Sequence, residues 1–267
     1  MTRPFRFGVV APLTTDLPTW RDRVRRIADS GYSALLMPDV PQWQPAPGPT
    51  LAYAAAQADL HVGTWVYASP LRPAWSTAWE AHSLSLLTGG RFEMGIGTGR
   101  PGIEEELRER GMPVVPRAER LAQVRETVTA LRDLDGPDLH TPVVMAVRGQ
   151  KAQAGRRARR HGHLCSAVEC DSCRSRGAGT RLPRRTGRRV RAACASHRRH
   201  RRAVHGAPDT DPAALREADS LAILPDDPAA AAEEIQRRRE EIGYSYFVFG
   251  AGVAEVLAPV VAELAGQ

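Results

Sequence analysis

The chain has 267 residues, 42% hydrophobic and 25% charged, with a formal net charge of +7 and a pI of about 9.8. That length suits one α/β barrel or two small domains. No stretch approaches the ~20 consecutive apolar residues of a membrane-spanning helix, and the N-terminus has no signal-peptide pattern, so a soluble, cytoplasmic protein without a membrane partner is expected.

Short apolar runs alternate with helical patterns through most of the chain, which predicts a parallel α/β architecture. Residues 7–11 (FGVVA) read as a buried first strand. Pro18 opens a helix, where its missing N–H costs nothing; Val24, Ile27 and Ala28 give that helix an apolar face, and Gly31 stops it. The second strand is predicted at 34–37 (ALLM), ending in Pro38-Asp39, followed by a helix around 51–58. A third strand is expected over 61–68 (HVGTWVYA), a helix over 74–87, a turn at Gly89-Gly90 and a fourth strand over 91–96 (RFEMGI). Leu121, Val124, Val128 and Leu131 recur at helical spacing and predict a helix over 117–134, with a fifth strand at 143–147 (VVMAV).

Residues 151–206 break this pattern. They hold 17 of the 37 Lys and Arg, two of the 30 acids (Glu169 and Asp171), all four cysteines and five of the eight histidines, and no Phe, Tyr, Trp or Ile. Elsewhere 20 basic and 28 acidic residues remain, so the basic character of the chain comes from this segment alone. Regularity returns afterwards: Asp227-Pro228 is a helix N-cap and N1 pair, Ile235 and Ile242 lie on the inner face, and Gly243 stops the helix. A last strand is read at 244–249 and a closing helix at 253–264. Five strand–helix units precede the segment and one follows it, as in a barrel lacking its sixth and seventh strands. The domain reading is therefore 1–150 as the first five β/α units, 151–206 as an aberrant Arg/Cys-rich segment, and 207–267 as a C-terminal unit.

The run 80–100, EAHSLSLLTGGRFEMGIGTGR, resembles the luciferase-like monooxygenase superfamily, whose members are (β/α)8 barrels using flavin or the deazaflavin coenzyme F420. The helix, the S/T-G-G-R-F turn, the strand and the G-x-G-x-G loop occur in order without gaps. Met37-Pro38-Asp39, the VGTWV strand, PVVMAVRG, and EIGYSYFVF with LAPVVAELAG are supporting pieces. The resemblance covers 1–150 and 207–267. It implies an incomplete TIM-barrel-like fold and an oxidoreductase or monooxygenase that transfers hydride on a small organic substrate with FMN or coenzyme F420. Barrel active sites lie at the C-terminal strand ends. Asp39 is the catalytic candidate there, and Ser69, Gly97, Thr98, Gly99, Arg100, Ala146 and Gly149 are the cofactor-binding candidates; no metal ligand is assigned. Gly97 and Gly99 would let backbone approach a planar ring. Read without the resemblance, GIGTG is a glycine-rich turn, and as a Rossmann fingerprint its third glycine is misplaced.

One departure concerns mechanism. Many deazaflavin members carry Asp-His at the end of the second strand, where this chain has Asp39-Val40. Valine moves no proton, so Asp39 either takes that role or caps its loop. His61, His82, Glu80 and Arg91 read as structural. The expected partners are a small-molecule substrate and at most a second copy in a homodimer, with no nucleic acid. The competing function is a catalytically inactive barrel derivative, or a protein whose insert binds metal or nucleic acid.

Three readings of 151–206 compete. Cys165, Cys170, Cys173 and Cys194 have the C-x4-C-x2-C…C spacing of an iron–sulfur site, with His161 and His163 as further ligands. The arginine runs match a phosphate footprint, although no aromatic is present to stack a base. The favoured reading is a shifted frame. One lysine against 36 arginines points to a GC-rich gene, and out-of-frame translation of such a gene yields Arg, Ala, Gly, Pro, Cys and His. Assumed codons GGA-CAC-CTG-TGC for Gly162 to Cys165 read Asp-Thr-Cys-Ala one base along, which restores an H-x-D-T-x-A pattern similar to the family's sixth strand. A disordered 151–206 and an open or marginally stable barrel are expected from the sequence as it stands.

Overall fold

The computed structural model describes residues 3–146, 163–166, 192–194 and 224–267. The chain divides into two compact units, Val10–Asp29 with Ser33–Ala146, and Met1–Val9 with Ser30–Tyr32 and Val147–Gln267. The first strand, β1, is Arg6–Val10.

The larger unit contains α1 (Leu17–Asp29), β2 (Ala34–Met37), α2 (Pro47–Gln57), β3 (His61–Thr64), β4 (Tyr67–Ala68), α3 (Ala74–Leu87), β5 (Phe92–Gly97), α4 (Ile103–Glu109), α5 (Arg117–Asp135) and β6 (Val143–Ala146). All its strand pairs are parallel. Ala34 faces His61 and Met37 faces Thr64; Val62 faces Phe92; Ala68 faces Gly97, and Gly97 faces Ala146. Every residue of β2 and β5 is buried, the pattern of strands covered on both faces. Parallel pairing brings the carboxyl ends of these strands to one edge, where Asp39, Ser69, Thr98 and Ala146 stand.

The third strand is not the single run expected over 61–68. Thr64 Oγ1 donates to Gly95 O at 2.7 Å and accepts from Gly95 N at 2.9 Å, while Trp65 N donates to Met37 O at 2.6 Å. The Trp65–Val66 peptide is cis, and pairing with β5 resumes only at Tyr67. Gly95 makes this close approach possible, because a Cβ there would overlap the Thr64 carbonyl.

Side chains tie the helices to this sheet. Trp20 is fully buried, stacks on Tyr53 at 6.4 Å and donates Nε1 to Ala11 O at 3.1 Å. His82 Nδ1 lies 3.0 Å from Asp135 Oδ1, and Asp135 Oδ2 accepts from Thr141 N at 2.9 Å, joining α3, α5 and the approach to β6. Arg91 donates to the carbonyls of Ala55, Leu60 and Thr88. These contacts occupy His82 and Arg91 with structure.

The smaller unit holds β7 (His163–Ser166), β8 (Ala192–Cys194), α6 (Pro228–Ile242), β9 (Tyr246–Gly250) and α7 (Ala254–Leu264). β1 and β9 are neighbours. Phe5, Phe7, Phe247 and Phe249 form a ladder of rings with centroids 6.0–6.1 Å apart. Asp227 caps α6 by accepting from Ala230 N at 2.9 Å, and Gly243, at φ 88°, ends it. β7 and β8 pair in parallel, Leu164 opposite Ala192 and Ser166 opposite Cys194. Apart from these two strands, the expectations for 151–206, including its disorder and the arginine runs, lie outside the described residues.

Candidate functional site

The site is built on the carboxyl-terminal edge of the larger unit. Asp39 follows β2 and is 5% exposed. Its Oδ2 accepts from Ala68 N at 3.1 Å and from Arg72 Nε at 2.9 Å, and its Oδ1 accepts from Arg72 Nη2 at 3.0 Å. This two-pronged geometry is the strong form of an arginine–carboxylate pair. Arg72 also donates Nη1 to Glu80 Oε2 at 3.3 Å and lies 4.4 Å over the Tyr67 ring. Tyr67 donates its hydroxyl to Glu80 Oε1 at 2.5 Å. Burial, with the Glu80 charge beside it, raises the Tyr67 phenol well above its ordinary value, so it stays protonated. Hydrogen bonding to Asp39, against the opposing effect of burial, raises the Arg72 guanidinium further.

A second carboxylate organises the neighbouring wall. Glu106, buried on α4, receives Gln42 Nε2 at 3.0 Å, the Arg100 Nη2 group, and Arg110 Nη2 at 3.4 Å. Arg100 also donates Nη1 to Asp39 O at 3.3 Å, linking the two clusters. Ile103 and Leu107 of α4 are fully buried against Ala68, and the partly buried Leu71 and Met112 pack on this cluster. A cavity of about 380 Å³ has Asp39, Leu71, Arg72, Glu80, Arg110 and Met112 among its walls.

The sequence candidates fall as follows. Asp39 sits at the cavity wall with three donors already on its carboxylate. Ala68, Gly97 and Ala146 stand side by side across β4, β5 and β6, a ledge of small residues. A Cβ on Gly97 would come within 3.1 Å of Val66 and 3.2 Å of Ala146. Gly99 takes φ 89° against Ile103 and turns the chain into Arg100. Thr98 is half-buried at the ledge end. Ser69 is buried and directs its hydroxyl to Arg120 O at 3.4 Å, into the packing against α5. Gly149, Cys170 and Cys173 lie outside the described residues. Among the described residues no three His, Cys, Asp or Glu side chains cluster as a metal site, and no helix is long and apolar enough to cross a membrane.

Sequence reasoning missed Tyr67, Arg72, Glu106 and Arg110, and read Glu80 as structural. Only α4 left a signal: Ile103 and Leu107 are four apart, with three glutamates suited to a helix start between them.

Whether a tricyclic flavin or deazaflavin suits this edge can be judged from its donor set. The Ala68–Gly97–Ala146 row carries no long side chain, with Ala68 covered by Ile103 and Leu107, while Thr98 and Arg100 supply polar atoms at its end. Both features suit a planar ring with a hydrogen-bonding rim.

Residues 4–251 match the family model described as luciferase-like monooxygenase. A search of curated proteins finds no match. Several solved structures share the fold. The coenzyme F420-dependent tetrahydromethanopterin reductase of Methanopyrus kandleri is 15% identical, with TM-score 0.66 and 98% of each chain covered. A monooxygenase from Streptomyces bottropensis is 15% identical, with TM-score 0.61 and 96% of each chain covered. The oxygenating constituent of 3,6-diketocamphane monooxygenase from Pseudomonas putida, in complex with FMN, is 14% identical, with TM-score 0.60, covering 100% of this chain and 99% of that one.

Proposed function

The chain belongs to the luciferase-like monooxygenase family, and from that membership we propose that it is an oxidoreductase acting on a small organic substrate with reduced flavin or F420. The observation that carries the proposal is the row of small residues at the strand ends, in the same unit as a cavity of about 380 Å³ lined by Asp39 and Arg72, within the usual range for ligand sites. In this reading Gly97, Thr98, Gly99, Arg100 and Ala146 border the ring, with Ser69 behind the ledge. The group supplies hydride when bound, or reduces oxygen where the reaction is an oxygenation.

The chain's own residues do the rest. Asp39 orients Arg72 and holds the Ala68 N–H, so the end of β4 cannot drift from the ledge. Its committed lone pairs make it a positioning group in this proposal. Glu80, half-exposed on the cavity wall, is the carboxylate with room to exchange a proton with a bound substrate, and Tyr67 and Arg72 fix both its oxygens. Val40, buried at the position where many deazaflavin relatives carry histidine, contributes only apolar surface. Titrating the protein into FMN and into F420 while following their fluorescence tests the proposal. Emission unchanged at micromolar protein for both rejects it.

A further inference from the structure

The cavity walls are unequal in their hydrogen-bonding state. Asp39, Arg72 and Glu80 satisfy one another, with Ala68 N and the Tyr67 hydroxyl completing the set. The same cavity is lined by Arg110, immediately after α4. Among the described residues its guanidinium has one ion pair, at 3.4 Å to Glu106 Oε1, and Glu106 already holds Arg100 and Gln42 more closely. A guanidinium has five N–H donors in a planar fork suited to a carboxylate. Arg110 therefore brings unspent donors to the cavity, with a side chain 35% exposed.

The rest of the lining is mixed, with Ser76 and Thr77 polar and Leu71, Met112, Pro41 and Pro73 apolar. Met112 N donates to Leu107 O at 2.8 Å, Arg110 N donates to Glu106 O at 3.2 Å, and Leu71 and Met112 pack on the buried Ala68–Ile103–Leu107 cluster.

We infer that this cavity binds a small organic acid, its carboxylate on the Arg110 fork and its hydrocarbon body against Leu71, Met112 and Pro41. The inference deepens the oxidoreductase reading by naming the substrate class of the same site. A free acid then exchanges with the long Glu106 contact, which costs little because Glu106 keeps Arg100 and Gln42. The matching amide or alcohol offers no charge to the fork and binds more weakly.

Isothermal titration of the full chain, without cofactor, with hexanoate and with hexanamide tests this. Hexanoate should bind at least about tenfold tighter than hexanamide, the scale of a charge-assisted hydrogen-bonded pair. Arg110→Gln should remove that preference, and Arg110→Lys should retain part of it, since the charge remains while the fork is lost. Arg108→Gln, which breaks only an exposed pair with Glu105 on the same helix, should leave it unchanged. No measurable hexanoate binding, equal binding of acid and amide, or R110Q within roughly twofold of wild type would overturn the inference. The readout is independent of cofactor, so failure of the oxidoreductase reading would show in the fluorescence titration and not here.

Discussion

Replacing Arg72 with methionine removes the hub of the site. The side chain is 19% exposed and donates three hydrogen bonds to two carboxylates, at 2.9 and 3.0 Å to Asp39 and 3.3 Å to Glu80. Without it Asp39, whose side chain is 4% exposed, keeps only the Ala68 N–H as partner. Breaking a buried pair by deleting one member costs about 3–5 kcal/mol, because the other charge is left without compensation. That is a large share of the ~5–15 kcal/mol available to a folded domain. Asp39→Asn should relieve part of the loss, since the amide carries no charge to strand. The R72M/D39N double variant should therefore be more stable than the two separate losses predict, by about 1–3 kcal/mol of coupling. Urea unfolding followed by tryptophan fluorescence reads this unit directly, because Trp20, Trp43, Trp65, Trp75 and Trp79 all belong to it. A loss below about 1 kcal/mol for R72M, or additive losses in the double variant, would refute the reasoning, the former being the size expected of an exposed pair.

Two further outcomes follow from the fold. Gly95→Ala should lower stability by about 1–3 kcal/mol, since its Cβ meets the Thr64 backbone rather than a movable side-chain end; a variant as stable as wild type in the same urea assay would contradict the Thr64–Gly95 contact. Hydrogen bonding from Arg237, then Arg238, holds Glu234 below its ordinary value of 4.5. A depressed carboxylate contributes stability above its unfolded value and loses it as pH falls through the folded one. The deficit of Glu234→Gln should thus be full at about pH 7 and shrink below about pH 4.5; a constant deficit down to about pH 3 would contradict this.

Much of the fold was legible because its signals are local. Residues 74–87 form the helix read from the sequence, and Asp227, Pro228 and Gly243 bound α6 as their capping chemistry requires. The break in the third strand was not legible, because β-branched and aromatic residues run through 61–68 and the interruption comes from Thr64 bonding to Gly95 on another strand. The site was legible only at its strand ends. Asp39 and Arg72 lie 33 residues apart, and nothing in either neighbourhood announces the other. Arg110 is one arginine among many in the sequence; only the crowding of Glu106 distinguishes it. The Gly95-x-Gly97-x-Gly99 block stands out in the sequence, but each glycine also has a packing or backbone reason, which a motif alone does not reveal.

The most direct measurement is the FMN and F420 fluorescence titration repeated with Thr98→Trp, which places a bulky ring at the end of the Ala68–Gly97–Ala146 ledge. Wild type should change the emission of one of the two at micromolar protein, and T98W should abolish that change while its urea midpoint stays at the wild-type value. Binding that survives T98W undiminished would contradict a cofactor seat on this ledge, and no binding by wild type would contradict the oxidoreductase reading itself.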